Sequence, residues 1–130
     1  MTPQRPEALA FDVVETLFSL DAVARRLAVL GAPEGAPQLW FARLLRDGFA
    51  LAACGDYRPF RDVAASSLRA VLPDADDEAV ESVLAGLSEL EAHPDTDPGL
   101  RRAAEAGVRI VTLTNGSAQS TAIWVGEPAA

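Results

Sequence analysis

The chain has 130 residues, of which 49% are apolar and 23% are charged. This is enough for one domain with a real core, and no apolar run approaches the ~20 residues of a membrane span. Its 11 Lys+Arg residues against 19 Asp+Glu residues give a formal net charge of −8, which argues against nucleic-acid or anionic-membrane partners, because both require clustered positive charge. The first residues contain no apolar segment like that of a secretory signal, so we expect a cytoplasmic protein.

The first predicted element is a strand. Residues Ala8 to Val14 form a short apolar run interrupted by one aspartate, which is typical of a buried parallel strand that ends near Asp12. A helix is predicted next, from about Leu20 to Leu30, because its apolar residues recur at three- and four-residue spacing. Gly31 stands where a C-terminal cap belongs.

The middle of the chain is predicted to be helical. Three helices are expected, from Pro37 to about Cys54, from Pro59 to Leu72 and from Asp74 to Leu90, since each has helical apolar spacing and ends near glycine or proline. The single cysteine, Cys54, cannot form an internal disulfide and is expected to be a small buried thiol. We expect these helices to pack together and to bury Trp40, Leu44, Phe49 and Phe60.

The last part of the chain returns to an α/β pattern. His93 to Asp97 is turn-like, and Asp97 followed by Pro98 predicts the start of a short helix that ends at Gly107. Val108 to Leu113 is the second predicted strand. The fold class is therefore α/β, a fragment of a doubly wound parallel core with a helical cap inserted after strand one; residues 1–19 and 91–130 would form the core and residues 20–90 the cap.

Polar residues close both predicted strands. Asp12 ends the first strand, and Thr114 with Asn115 ends the second. Ligands of open α/β sheets bind at the carboxyl ends of the strands, so these side chains would surround one crevice. The same residue types are common in ordinary turns, and position alone leaves both interpretations open.

Both strand ends also match known motifs. Residues 11–18, Phe-Asp-Val-Val-Glu-Thr-Leu-Phe, resemble the first motif of the haloacid dehalogenase superfamily, Asp-x-x-Gly-Thr-Leu-Phe/Tyr after an apolar strand. Residues 111–117, Val-Thr-Leu-Thr-Asn-Gly-Ser, resemble the second motif in the form favoured by L-2-haloacid dehalogenases. Leu39-Trp40 and the segment Gly55 to Phe60 resemble the helical cap of that subfamily.

The resemblance implies a covalent, two-step hydrolysis. Asp12 would be the nucleophile, alkylated or phosphorylated and then freed by water. Backbone N–H groups at Val13 and Val14 would hold the substrate's oxygens, and Thr114 and Asn115 would hold its carboxylate or phosphate from the other side. The substrate would be a small anionic molecule, a 2-haloacid or similar.

Position 14 bears on the choice of reaction. Phosphatases of this superfamily carry a second aspartate two residues after the nucleophile, as general acid and base, whereas Val14 cannot transfer a proton. Halide leaves without protonation, so the sequence favours a 2-haloacid dehalogenase, and the alternative is a Mg²⁺-dependent phosphatase. No metal or cofactor is expected, except Mg²⁺ under that alternative.

Some positions depart from the family pattern. The motif's glycine is Glu15, which has a side chain where a flexible turn is normal. An arginine normally follows Leu-Trp in the cap, but here it is Phe41, and Arg43 is the candidate substitute; otherwise Arg43 is a solvated helix arginine. Thr16 is expected to tie down the nucleophile loop.

The family's later motifs, a lysine or arginine and further acidic residues, have no counterpart before Ala130. We therefore expect a truncated or frameshifted chain that turns over poorly. From another class, the alternative is an inactive remnant or interaction subunit, whose exposed sheet edge and cap bind another chain. Homodimerisation is left open.

Overall fold

A computed structural model describes residues 4–115, which separate into two compact units. The core unit comprises the residues up to Ser19 and those from Glu91 onward, and the helical unit comprises Leu20–Leu90. In chain order the elements are β1 Ala8–Phe11, β2 Phe18–Ser19, α1 Asp21–Val29, α2 Ala36–Ala53, α3 Phe60–Val71, α4 Asp77–Ala85, a 3₁₀ turn Gly86–Ser88, β3 Glu91–Ala92, α5 Thr96–Glu105 and β4 Arg109–Thr112.

The core unit contains the parallel pair that the sequence predicts. Strands β1 and β4 are hydrogen-bonded neighbours, in a register from Ala8 opposite Arg109 to Phe11 opposite Thr112. The predicted α/β class is confirmed. Strand β1 ends at Phe11 rather than at Val14, because the chain turns away from the ladder directly after Asp12.

A second, smaller sheet was not predicted. Strands β2 and β3 pair antiparallel, with Phe18 opposite Ala92 and Ser19 opposite Glu91. The turn predicted at His93 follows directly, and helix α5 begins at Thr96 rather than after an Asp97 cap. The short ladder joins the two places where the chain leaves and rejoins the core unit.

The helical unit has the predicted helices. Its largest fully buried side chain is Trp40 on α2, whose indole N–H donates to the Ala64 carbonyl of α3 at 3.0 Å. Leu44, one turn further along α2, is also buried. No helix of the described residues is long and apolar enough to cross a membrane.

Two burial predictions for this unit were wrong, and one holds only in part. Phe49 is 61% exposed, because five residues after Leu44 correspond to a rotation of roughly 140° about the helix axis, away from the buried stripe. Cys54 is exposed, because α2 ends at Ala53 and the chain then turns through Gly55 at φ 71°. Phe60, at the start of α3, is half-buried.

Helix ends follow local chemistry. Gly31 has a φ of 73°, the left-handed conformation expected of a glycine after a helix. Helix α4 begins three residues later than predicted, at Asp77, because Asp76 is the residue that caps it, accepting from the backbone N–H of Ala79 at 2.8 Å.

Candidate active site

The predicted site residues Asp12, Thr114 and Asn115 follow paired strands at one edge of the sheet. The backbone N–H of Leu113 donates to the Phe11 carbonyl at 2.8 Å, which carries the parallel pairing to the residue before Asp12. The register therefore brings Asp12 and Thr114 to the same carboxyl edge. Asp12 and Asn115 are exposed, and Thr114 is half-buried.

The loop after Asp12 is closed around one carbonyl. The Val13 carbonyl accepts from the backbone N–H groups of Thr16, Leu17 and Phe18 at 3.3, 2.9 and 3.1 Å. The N–H of Glu15 donates to the Phe18 carbonyl at 2.7 Å. These bonds make residues 13–18 a tight, internally hydrogen-bonded loop directly after Asp12.

Thr16 holds the carboxylate itself. Its hydroxyl donates to Asp12 Oδ2 at 2.8 Å across the loop. Within residues 4–115, this hydrogen bond restrains the rotamer of the Asp12 side chain through one of its two carboxylate oxygens. The contact is the one expected of a residue that ties down a nucleophile loop.

Val13 and Val14 have buried side chains, with Val13 fully inaccessible and Val14 8% exposed. Among the described residues, the hydrogen bonds inside this loop are donated by Glu15, Thr16, Leu17 and Phe18, and none by the N–H groups of the two valines. The apolar side chain of Val14 offers no proton donor beside Asp12.

Glu15 occupies the position where the motif has glycine, and the structure shows why glycine is usual there. Its φ is 65°, and it is the only described non-glycine residue with a positive φ. A side chain in this left-handed region costs roughly 1–2 kcal/mol. The loop therefore keeps the glycine geometry in spite of the substitution, at the cost of strain next to Asp12.

Thr96 is a supporting residue that sequence reasoning missed. Its hydroxyl donates to the Leu17 carbonyl at 2.8 Å, and the backbone N–H of His93 donates to the same carbonyl at 2.9 Å. Both bonds fix the far end of the Asp12 loop. The sequence placed Thr96 in a turn, and a single threonine before Asp97-Pro98 gives no other signal.

Arg43, the predicted substrate-binding cation, lies in the helical unit and is half-buried. Its Nη1 donates to the Ala70 carbonyl in the last turn of α3 at 3.0 Å, where a cation also suits the helix dipole. In the described structure Arg43 therefore joins α2 to α3. Its role toward substrate stays a prediction.

In the part of the chain that the structure describes, no three His, Cys, Asp or Glu side chains lie close enough together to bind a metal ion. The expectation of a site without metal, and the Mg²⁺ alternative, both remain predictions.

Comparison with known proteins finds the same fold in several solved structures. No protein-family profile and no curated protein sequence matches the chain. Among solved structures, the L-2-haloacid dehalogenase of Xanthobacter autotrophicus is similar over 93% of this chain and 51% of its own, with 25% identity and a TM-score of 0.79. The same enzyme with chloropropionic acid covalently bound gives 23% identity and the same TM-score.

Another L-2-haloacid dehalogenase matches with 28% identity and a TM-score of 0.82, over 90% of this chain and 56% of its own. The chain thus spans about half the length of these structural neighbours. Across that span, both units follow their fold.

Proposed function

Because the chain has the fold of the haloacid dehalogenase superfamily, we propose that it is a hydrolase of the 2-haloacid dehalogenase type, with Asp12 as nucleophile. The observation that carries this proposal is the placement of an exposed carboxylate at the carboxyl edge of a parallel strand, held through Oδ2 by Thr16. The covalently bound chloropropionic acid in the neighbouring enzyme supports the same class of chemistry here.

In the first step, Asp12 Oδ1 attacks the carbon that bears the halogen. The new C–O bond forms as the C–halogen bond breaks, and halide leaves with the bonding electrons. Water then adds to the carbonyl carbon of the aspartyl ester, which releases a 2-hydroxy acid and restores the carboxylate. Of the two protons of this water, one passes to the oxygen of the released hydroxy acid and the other to solvent, so the two steps together convert a haloacid and water to a hydroxy acid and hydrogen halide.

The groups around Asp12 suit this reaction. We assign the backbone N–H groups of Val13 and Val14 to the oxygens of the substrate, with Thr114 and Asn115 on the opposite side. Val14 cannot protonate a leaving alcohol, and a halide needs no proton. This favours a halide over a phosphate ester as the substrate's reacting group.

Charge compensation limits the expected rate. The chain contains no lysine, and two like charges 4 Å apart repel by about 4 kcal/mol at an effective dielectric constant of ~20. Arg43 is our candidate for the substrate carboxylate. Because this repulsion opposes substrate binding in every cycle, we expect little sustained turnover, and a single alkylation of Asp12 is the more sensitive signal.

The test is therefore direct detection of the ester. The purified chain is incubated with 2-chloropropionate, and intact-protein and peptide mass spectrometry should find one 1-carboxyethyl ester on Asp12, accompanied by chloride release. In H₂¹⁸O, slow turnover should place ¹⁸O in the Asp12 carboxylate, because water attacks the carbonyl of the ester.

The variant Asp12→Asn should lose both signals, and Asp74→Asn, a change of the same kind at another exposed aspartate, should keep them. A folded wild-type chain that forms no ester and releases no chloride would contradict the proposal. Hydrolysis of a phosphate ester that depends on Mg²⁺ and on Asp12 would instead support the phosphatase alternative.

A further inference from the structure

The carbonyl of Leu17 accepts two hydrogen bonds from one turn at the start of α5. The Thr96 hydroxyl donates to it at 2.8 Å, and the backbone N–H of His93 donates to it at 2.9 Å. The turn is itself closed, because the N–H of Thr96 donates to the His93 carbonyl at 3.0 Å. Thr96 is half-buried, and its hydroxyl is bonded to the loop that follows Asp12.

The Leu17 carbonyl belongs to a peptide group that continues into this loop. A peptide group joins the C=O of one residue to the N–H of the next in a single plane, so this group also contains the N–H of Phe18. That N–H donates to the Val13 carbonyl at 3.1 Å, and the Val13 carbonyl shares its own peptide group with the N–H of Val14. Two peptide groups and the hydrogen bond between them therefore connect the Thr96 hydroxyl to the Val14 N–H. We call this connection the Thr96–Val14 path.

The path sets the direction of the Val14 N–H. In a trans peptide the C=O and the N–H point in opposite directions, and the described residues contain no cis peptide bond. The Val13 carbonyl points toward the N–H groups of residues 16–18, so the Val14 N–H points out of the loop. No hydrogen bond among the described residues uses this donor. Hydrogen bonds in series also polarise one another, which makes the last N–H of the series a stronger donor.

We propose that Thr96 is a positioning residue for the reaction of Asp12, and that it acts through the Thr96–Val14 path on an N–H group that holds an oxygen of the substrate. The inference rests on the proposed function, which assigns the Val14 N–H to the substrate. Without the hydroxyl, the Leu17 carbonyl would keep one donor from the turn, the N–H of His93. The hydroxyl is therefore the part of this support that a substitution can remove.

The first test needs no substrate. Backbone amide resonances of the full chain are compared by NMR between the wild type and Thr96→Val, which replaces the hydroxyl with a methyl group of similar size. The amide protons of Phe18 and Val14 should shift upfield, and the Phe18 amide should exchange with solvent about threefold faster or more, because its hydrogen bond to Val13 weakens. Thr96→Ser restores a hydroxyl and should reverse both changes.

The second test follows the reaction. The rate at which the 1-carboxyethyl ester forms on Asp12 is measured against the concentration of 2-chloropropionate. Thr96→Val should lower the limiting rate by about threefold to tenfold, the effect of losing one hydrogen bond, and Thr96→Ser should recover most of it. Thr112→Val, the same change at an exposed threonine of β4, should leave the rate unchanged. A urea midpoint shows that each variant is folded, and Thr96→Ala repeats the comparison if valine disturbs the start of α5.

Unmoved Phe18 and Val14 resonances in Thr96→Val, or an alkylation rate that stays at the wild-type value, would overturn the proposal. A rate that falls but that serine does not restore would also overturn it, by assigning the effect to packing at the start of α5. The proposed function fails on a different result, the absence of any ester in the wild type. Resonance shifts without an ester would leave the path as a structural link and remove its role in the reaction.

Discussion

Gly86 lies where the 3₁₀ turn after α4 passes close to α1, and replacing it with alanine tests the packing of the helical unit. A Cβ at this position would lie 3.2 Å from both Cα and N of Val23 and 3.0 Å from Cδ of Arg26. The Val23 atoms are backbone and cannot move alone. Arg26 is tethered as well, because its guanidinium donates to Glu89 at 2.6 and 3.2 Å and to the Ser82 carbonyl at 2.8 Å.

The size of the effect follows from two opposing contributions. Alanine in a helical conformation gains about 0.5–1 kcal/mol over glycine, and φ of −59° at Gly86 is compatible with any residue. Overpacking a rigid site costs about 1–3 kcal/mol. We therefore expect Gly86→Ala to lower the free energy of unfolding by about 1 kcal/mol, as measured by urea denaturation followed by circular dichroism.

Gly48, within α2, is the matched control because a Cβ added there would meet no atom within 4 Å apart from its chain neighbours and the backbone of its own helix. Gly48→Ala should stabilise the chain by about 0.5–1 kcal/mol. If both variants stabilise the chain equally, the turn at Gly86 does not approach α1 closely enough to exclude a methyl group.

Two further predictions concern Glu15 and Asp47. Glu15→Gly should raise the free energy of unfolding by about 1 kcal/mol, because glycine adopts a positive φ without strain, whereas Glu15→Ala should not; a melting temperature for Glu15→Gly below that of the wild type would refute this. The pKa of Asp47 is lowered, mainly by the hydrogen bond from Arg46 and further by Ser67 and the charge of Arg43. Its ionised form therefore stabilises the fold above about pH 4, and this contribution is lost at lower pH as the carboxylate becomes protonated. Asp47→Asn should flatten the pH dependence of urea unfolding in that acidic range, and an unchanged slope would show that the Asp47 contacts do not persist in solution.

The α/β pattern and most helices could be predicted because they depend on local signals. The apolar run before Asp12 and the run before Thr114 are long enough to identify strands. Because helices separate these strands along the chain, a parallel pair was expected, and the strands pair in that way. Gly31 marked the end of α1 because few other residues adopt its positive φ. Such signals need no knowledge of tertiary contacts.

The features that were missed depend on contacts distant in sequence. A two-residue strand such as β2 has no detectable periodicity, so its pairing with β3 is visible only in three dimensions. Phe49 was predicted to be buried because its side chain is apolar, whereas its exposure depends on its angular position around α2. Several acidic residues before α4 could have capped it, and only the geometry identifies Asp76.

The residues of the candidate site differ in how much of their position and role could be predicted from the sequence. The strand pattern alone placed Asp12 and Thr114 at the ends of neighbouring strands, and the structure brings both to one edge. The bond from Thr16 to Asp12 follows a motif resemblance, since nothing in the local spacing indicates it. The roles of Val13, Val14 and Asn115 depend on bound substrate, and they remain predictions.

The β2–β3 ladder gives the chain a modular architecture. Since Ser19 and Glu91 are paired across it, the ends of the intervening segment lie only about 5 Å apart. A segment with adjacent ends can be lengthened, exchanged or replaced by a short turn with little demand on the rest of the sheet. The length and sequence of Leu20–Leu90 can thus vary while the strand that precedes Asp12 is left unchanged.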